Sequence, residues 1–258
     1  MLLKKNKFLL TVLYPLYIFA ALGLIYFLSH YNFTLVATAY LFLGWILFSG
    51  IGSAIGLHRW ASHKAIEVRP FLKIPLLWVS SLCLQGSTIG WAAIHRGRHH
   101  RHSDKEKDSH SPIHGYLHAY HTWLFKWDEY FEPKYVTDLI RDKHHMFFAK
   151  YYIPIIMVSY IVIGMISFEA LLFMFVIPGL YSLHQESLVN LFCHIKGMGY
   201  RNFNTDDNSN NIPLLGYLAW GQGWHNNHHY AASKFDYGTT KKEFDPCKLI
   251  GPLLGKMK

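Results

Sequence analysis

Trp224-His225-Asn226-Asn227-His228-His229 sets three imidazoles at i, i+3 and i+4. On a helix each residue turns by about 100°, so the three side chains fall within about 60° of one another and share one face. Neutral imidazole is the commonest metal ligand among side chains. Working outward, two further clusters lie upstream, His58/His63 and His95/His99/His100, each directly after an apolar stretch. Three clusters set apart by long hydrophobic runs point to one shared metal centre rather than to a surface tag or a packed polar face.

Those runs give the fold class. Of 258 residues 51% are hydrophobic, and they are gathered into long blocks, the signature of membrane-spanning helices. Residues 8–28, 34–57, 151–166 and 171–194 read as four spans. The segment 71–94 is long enough to cross, but Pro75 and Gln85-Gly86-Ser87-Thr88 interrupt it. If it crossed, the first two histidine clusters would lie on opposite faces and could not meet, so it reads as interfacial or re-entrant. The expectation is an all-α integral membrane protein with a single domain, 1–258. Four transmembrane helices carry a cytoplasmic helical cap that holds a histidine-rich di-metal site.

The formal charge of +9 does not indicate nucleic acid, because the basic residues lie between and after the apolar blocks and no nucleic-acid motif is present. The partner they indicate is the lipid bilayer. The turns at 29–33 and 167–169 contain no Lys or Arg, so the positive-inside rule puts both termini and every histidine cluster on the cytoplasmic side. Lys4, Lys5 and Lys7 precede an apolar run longer than a typical signal core, which reads as a retained span. Cys83, Cys193 and Cys247 have no C-x-x-C spacing and imply neither a disulfide framework nor a thiolate metal site.

Asn190 and His194, four apart at the end of the last span, face one way and join the count. The candidate ligands are then His58, His63, His95, His99, His100, His194, His225, His228 and His229, half of the 18 histidines. Structural zinc takes four ligands and catalytic zinc three, so nine imidazoles suit two ions. Imidazole-only ligation fits iron, copper, nickel or zinc. A redox ion beside a bilayer points to oxygen chemistry on an unactivated hydrocarbon. His58 and His63 lie about 140° apart on an α-helix, so their joint use needs a bent helix end or approach from both flanks of the ion. Asp104, Asp108, Asp206, Asp207 and Asp236 are candidates to orient the imidazoles. His144 and His145 lie outside every cluster and are expected to be dispensable.

H-x4-H at His58/His63, H-x3-H-H at His95/His99/His100 and H-x2-H-H at His225/His228/His229 resemble the three histidine boxes of membrane fatty-acid desaturases. Several strings are closer to the stearoyl-CoA-desaturase-like, Δ9-type branch. They are Trp91-Ala92-Ala93, His99-His100-Arg101-His102-Ser103-Asp104, Leu188-Val189-Asn190 with His194, Gly221-Gln222-Gly223-Trp224 leading into box three, and Glu243-Phe244-Asp245-Pro246. The resemblance implies a di-iron enzyme that uses O2 and two external electrons to introduce a double bond into a fatty acyl chain. It further implies His58, His63, His95, His100 and His228 on one iron. His99, His194, His225 and His229 would hold the other, with Asn190 reaching it through a water.

Two departures accompany the resemblance. Box two carries one residue more than the branch's usual H-x2-H-H, and Gly97 is the extra one. Where acyl-CoA members carry Arg-Lys after a Trp, this chain has Trp123-Leu124-Phe125-Lys126. One cation is missing, which leaves acyl-CoA, acyl-lipid and another thioester carrier open. With no His-Pro-Gly-Gly string of a fused cytochrome b5 module, the electrons are expected from a separate ferredoxin or cytochrome b5 type donor. A membrane di-iron hydroxylase would share the architecture. A metal transporter would place histidines at mid-span, where only His184 lies. If the acyl chain runs from the irons along the second span, Ile46 and Gly50 flank its methyl end, about 18 and 12 Å from His58.

Overall fold

The computed structural model describes residues 9–258, so Lys4, Lys5, Lys7 and the first residue of the 8–28 span lie outside it. Three helices are long and apolar enough to cross a bilayer: α1 (Thr11–His30), α2 (Leu35–Ser62) and α8 (Phe168–Phe192). A fourth crossing is available if α6 (Lys143–Lys150) and α7 (Tyr152–Ile166), bent by 72° at their junction, count as one broken span.

Between α2 and the cap run two short helices, α3 (Lys73–Ser81) and α4 (Thr88–Ile94), with a break at 82–87. Nine residues of α3 make about 13 Å, under half of a hydrocarbon core of about 30 Å. Neither helix of the 71–94 segment is long enough to cross on its own, and both pack against α2.

The helix ends follow from local chemistry. Thr34 Oγ1 accepts from the Ala37 amide at 3.0 Å to start α2, and its hydroxyl donates to Glu169 at 2.9 Å. Ser167 caps the start of α8 through the Ala170 amide at 3.1 Å. The two turns that lack Lys and Arg are thus joined to each other. Glycines on α2 let its neighbours come close: a Cβ at Gly44 would meet the Met174 carbonyl and the Pro178 ring, and one at Gly56 would meet Ser80.

Below its midpoint α2 changes winding. Trp45–Ser62 is π-helical, and the ladder continues as His63 N donates to the His58 carbonyl at 3.1 Å. An i→i+5 ladder places residues five apart above one another. The His58 and His63 rings accordingly sit 4.9 Å apart, so the 140° separation of an α-helix does not arise.

The cap is assembled from short helices: α5 (Tyr116–Tyr120), α9 (Pro213–Leu218), α10 (His225–Tyr230) and α11 (Cys247–Leu254). One antiparallel pair, β1 (Ile66–Val68) with β2 (Gly255–Met257), ties the chain just after box one to the last residues. Its core cluster of Ala54, Ile55, Trp220, Phe235 and Cys247 packs the C-terminal part against α2.

Candidate metal centre

All nine histidines converge beneath the cap. One ligand atom each from His58, His63, His95, His100 and His228 form one group, and His99, His194, His225 and His229 form another; within each group the atoms lie within 4.8 Å of one another. In the first, Nε2 of His228 is 3.0 Å from that of His58 and 2.9 Å from that of His100, and the His63 and His95 Nε2 atoms are 2.8 Å apart. In the second, His225 Nε2 lies 2.9 Å from His194 Nε2 and 3.1 Å from His229 Nε2.

Their other ring nitrogens reveal what these short distances mean. Nδ1 of His99, His194 and His229 faces Asp108, Asp104 and Asp207 at 3.2, 2.9 and 2.8 Å, and Nδ1 of His225 faces the Gln222 carbonyl at 3.1 Å. Acceptors at Nδ1 put the proton there and leave the Nε2 lone pair pointing inward. Four lone pairs about 3 Å apart repel one another unless a cation lies between them. The donor set of this group therefore fits a bound metal ion, and the five converging ring nitrogens of the first group offer a second such set.

Burial keeps the rings neutral and ready to ligate. It pushes His63, His95, His100, His225, His228 and His229 well below the usual imidazole range, and His99 down to about 3. At His194 burial pulls the same way, but the hydrogen bond and charge of Asp104 outweigh it and raise the pKa. Asp104 is correspondingly lowered to about 2, its burial opposed by His194.

The extra residue of box two is absorbed by the backbone. His95–His99 forms one π-helical turn, and the His100 amide donates to the His95 carbonyl. The His95 and His100 rings come to 4.6 Å, so His95 joins the first group despite Gly97. Gly97 itself is pressed against the Tyr135 ring.

Box three is held by its own asparagines. Asn211 Oδ1 accepts from the Asn226 and Asn227 amides at 3.0 and 3.2 Å, satisfying the first turn of α10. Asn226 Oδ1 in turn accepts from the Asn202 and Phe203 amides, both at 2.9 Å. Glu243-Phe244-Asp245-Pro246 supports box one: Asp245 pairs with Arg59 at 2.7 Å, and Arg59 stacks over Tyr237 at 3.9 Å.

Among the other carboxylates expected near the imidazoles, Asp206 pairs with Lys105 and Asp236 with Lys248, away from both groups. His145 is buried, bonded to Thr88 at 2.8 Å and 4.9 Å from the Trp60 ring, and it joins neither imidazole group. His184 bridges Tyr17 and Tyr120, at 2.8 and 2.7 Å, and belongs to neither imidazole group among the described residues.

An apolar cavity with about 820 Å³ of space, part of it open to the outside, adjoins the first group at His95. Leu13, Trp91, Trp123 and Leu183 line it, with Asn190 and His110 at the metal end. Gly50 and Ile46 are not among its lining residues. Gly50 faces Trp220, whose ring a Cβ would approach to 2.8 Å, and Ile46 packs on the same cluster. The walls of this cavity come instead from the 82–94 stretch and α8. His110 carries no separate signal in the sequence beyond its place in Asp108-Ser109-His110, shortly after box two; its ring lies 4.5 Å from that of His99.

The family model for fatty acid desaturase matches residues 31–234. An sn-2 palmitoyl-lipid 9-desaturase of Nostoc sp. (strain 36) is 32% identical over 202 residues, 73% of this chain and 67% of the relative. An sn-1 stearoyl-lipid 9-desaturase of Anabaena variabilis is 31% identical over 208 residues, 78% of this chain and 73% of the relative. A chloroplastic palmitoyl-monogalactosyldiacylglycerol delta-7 desaturase of Arabidopsis thaliana is 30% identical over 208 residues, 78% of this chain and 55% of the relative. Two converging sets of buried imidazoles under a membrane cap, and these matches, lead to one conclusion: the chain belongs to the fatty acid desaturase family.

Proposed function

We propose that this protein introduces a Δ9-type double bond into the acyl chain of a membrane lipid, with two iron ions, O2 and two electrons from a separate ferredoxin or cytochrome b5 type donor. A lipid carrier is supported by the relatives, two of which are named as lipid 9-desaturases, and by the missing cation at Trp123-Leu124-Phe125-Lys126. His58, His63, His95, His100 and His228 would hold one iron, and His99, His194, His225 and His229 the other, with Asn190 close by through a water. When bound, the iron pair supplies the oxidising power to break two unactivated C–H bonds. The balance is –CH2–CH2– plus O2, two electrons and two protons, giving –CH=CH– and two waters.

The chain's own residues bind, orient and exclude. The cavity suits an acyl chain because its walls are apolar and it ends beside the imidazoles at His95. Gln85 fixes the wall where it meets the metal end, accepting from Trp91 Nε1 at 3.1 Å and donating to the Ser182 carbonyl at 3.0 Å. A rigid wall holds one methylene pair opposite the imidazoles and so selects the position of attack. The cap closes over the buried histidines and keeps water from the reacting carbons.

The observation that carries this reading is the juxtaposition of two inward-facing imidazole groups with an apolar cavity. Expression in a desaturase-deficient host, followed by mass spectrometry of its separated lipid classes, tests it. New monoenoic chains at Δ9 should appear in intact membrane lipids. Hydroxylated chains, or a double bond confined to acyl-CoA, would overturn the reaction or the carrier respectively.

A further inference from the structure

The two groups of imidazoles differ in what stands behind them. In the four-imidazole group, three of the four rings face a carboxylate: His99 to Asp108, His194 to Asp104 and His229 to Asp207. Among the described residues, no carboxylate is bonded to any ring of the five-imidazole group, and the Nδ1 atoms of His58 and His228 are buried with no partner at all. Arg59 and Arg96 directly follow His58 and His95, but each is paired with its own carboxylate, Asp245 at 2.7 Å and Asp138 at 2.9 Å. Those pairs bring no net anion to the first group.

The three carboxylates are also held rigidly. Asp104 accepts from the Ser111 hydroxyl and the Asn208 amide, both at 2.7 Å. Asp108 accepts from the Asp104 amide at 3.1 Å, and Asp207 from the Ser209 amide at 3.0 Å and the Thr205 hydroxyl at 2.7 Å. A carboxylate behind Nδ1–H draws the proton outward and makes Nε2 a stronger donor to its metal. Nearby carboxylate charge, that of Asp104 and Asp207 foremost, further favours the more positive oxidation state.

We infer that Asp104, Asp108 and Asp207 are positioning residues that make the two metal sites unequal, so that the four-imidazole site is the harder to reduce and the first electron goes to the five-imidazole site. This rests on the di-iron reading. In that step a one-electron donor is oxidised and one ferric ion becomes ferrous, with no bond made or broken.

The test is Mössbauer spectroscopy of the 57Fe-loaded full chain during stepwise reduction with dithionite. His63→Ala and His225→Ala, each impairing one site, assign the two signals. In the wild type the ferrous signal of the five-imidazole site should grow first. Asp207→Asn and Asp104→Asn should narrow or reverse that order, and Asp207→Glu should restore it. Loss in the Asn variants of the one carboxylate-backed iron alone, with affinity lowered about 10–100-fold, also supports the assignment. Simultaneous reduction of both irons in the wild type, an order unchanged in the Asn variants, or equal loss of both irons would overturn it. Zinc in place of iron in the wild type would remove the di-iron reading itself, a failure distinct from two irons that reduce together.

Discussion

His225 and His229 lie on one face of a six-residue helix, with their Nε2 atoms 3.1 Å apart. Replacing either by Ala removes one of four inward donors while the asparagine scaffold of box three stays intact. His225→Ala and His229→Ala are therefore expected to abolish turnover and leave a folded, membrane-inserted protein, checked by product analysis beside gel filtration in detergent. His144→Ala, at a partly exposed ring, should stay within about 0.5 kcal/mol of wild-type stability and keep full activity. If the two sets behave alike, the boxes are not the site. At this scale boxes two and three were legible, because their histidines keep near-helical spacing and box two stands at the end of an apolar block. His110, Gln85 and the bonded state of His145 were not legible, since each reaches its place through contacts with residues distant in the chain.

At the scale of elements, the apolar blocks marked the spans but not their winding. Hydrophobic runs look the same on an α- and a π-helix, so the sequence could not show that Trp45–Ser62 would bring His58 and His63 together. Nor could it show which wall the acyl chain follows, because Gly50 reads equally as room for a ligand or as a packing contact. The structure puts the Trp220 ring there. Gly50→Phe is accordingly expected to lower activity on every acyl length by a similar factor and to reduce thermal stability by about 1–3 kcal/mol, the cost of overpacking. Assaying a series of chain lengths checks this, and a selective shift to shorter chains would restore the tunnel along α2.

For the whole molecule, the agreement of two separate considerations stands out. We propose that the cap and the termini share the cytoplasmic side, supported both by the turns without Lys or Arg and by the need for three clusters to meet. Single-cysteine labelling from outside the cell should modify Tyr31→Cys and spare Lys105→Cys; the reverse pattern would overturn the topology. The native cysteines are buried and leave a low background. Elemental analysis of the purified chain should give close to two irons, and one zinc without iron would exclude the pair.

The single π-helical turn at His95–His99 bears on how such a site can change length over time. A residue added to a helix normally rotates everything after it by about 100° and would tear a ligand cluster apart. Here the surplus is confined to one wide turn, so the rings on either side keep their register. Deleting Gly97 should then relax that turn to ordinary winding, with His95 at i, and the present His99 and His100 at i+3 and i+4. The shortened chain is expected to retain both metals, measured as iron per chain, whereas deleting a residue from the α-helical turns of α4 should lose them. Box two is in this sense a reading frame that tolerates one insertion, and its spacing alone is a poor measure of kinship.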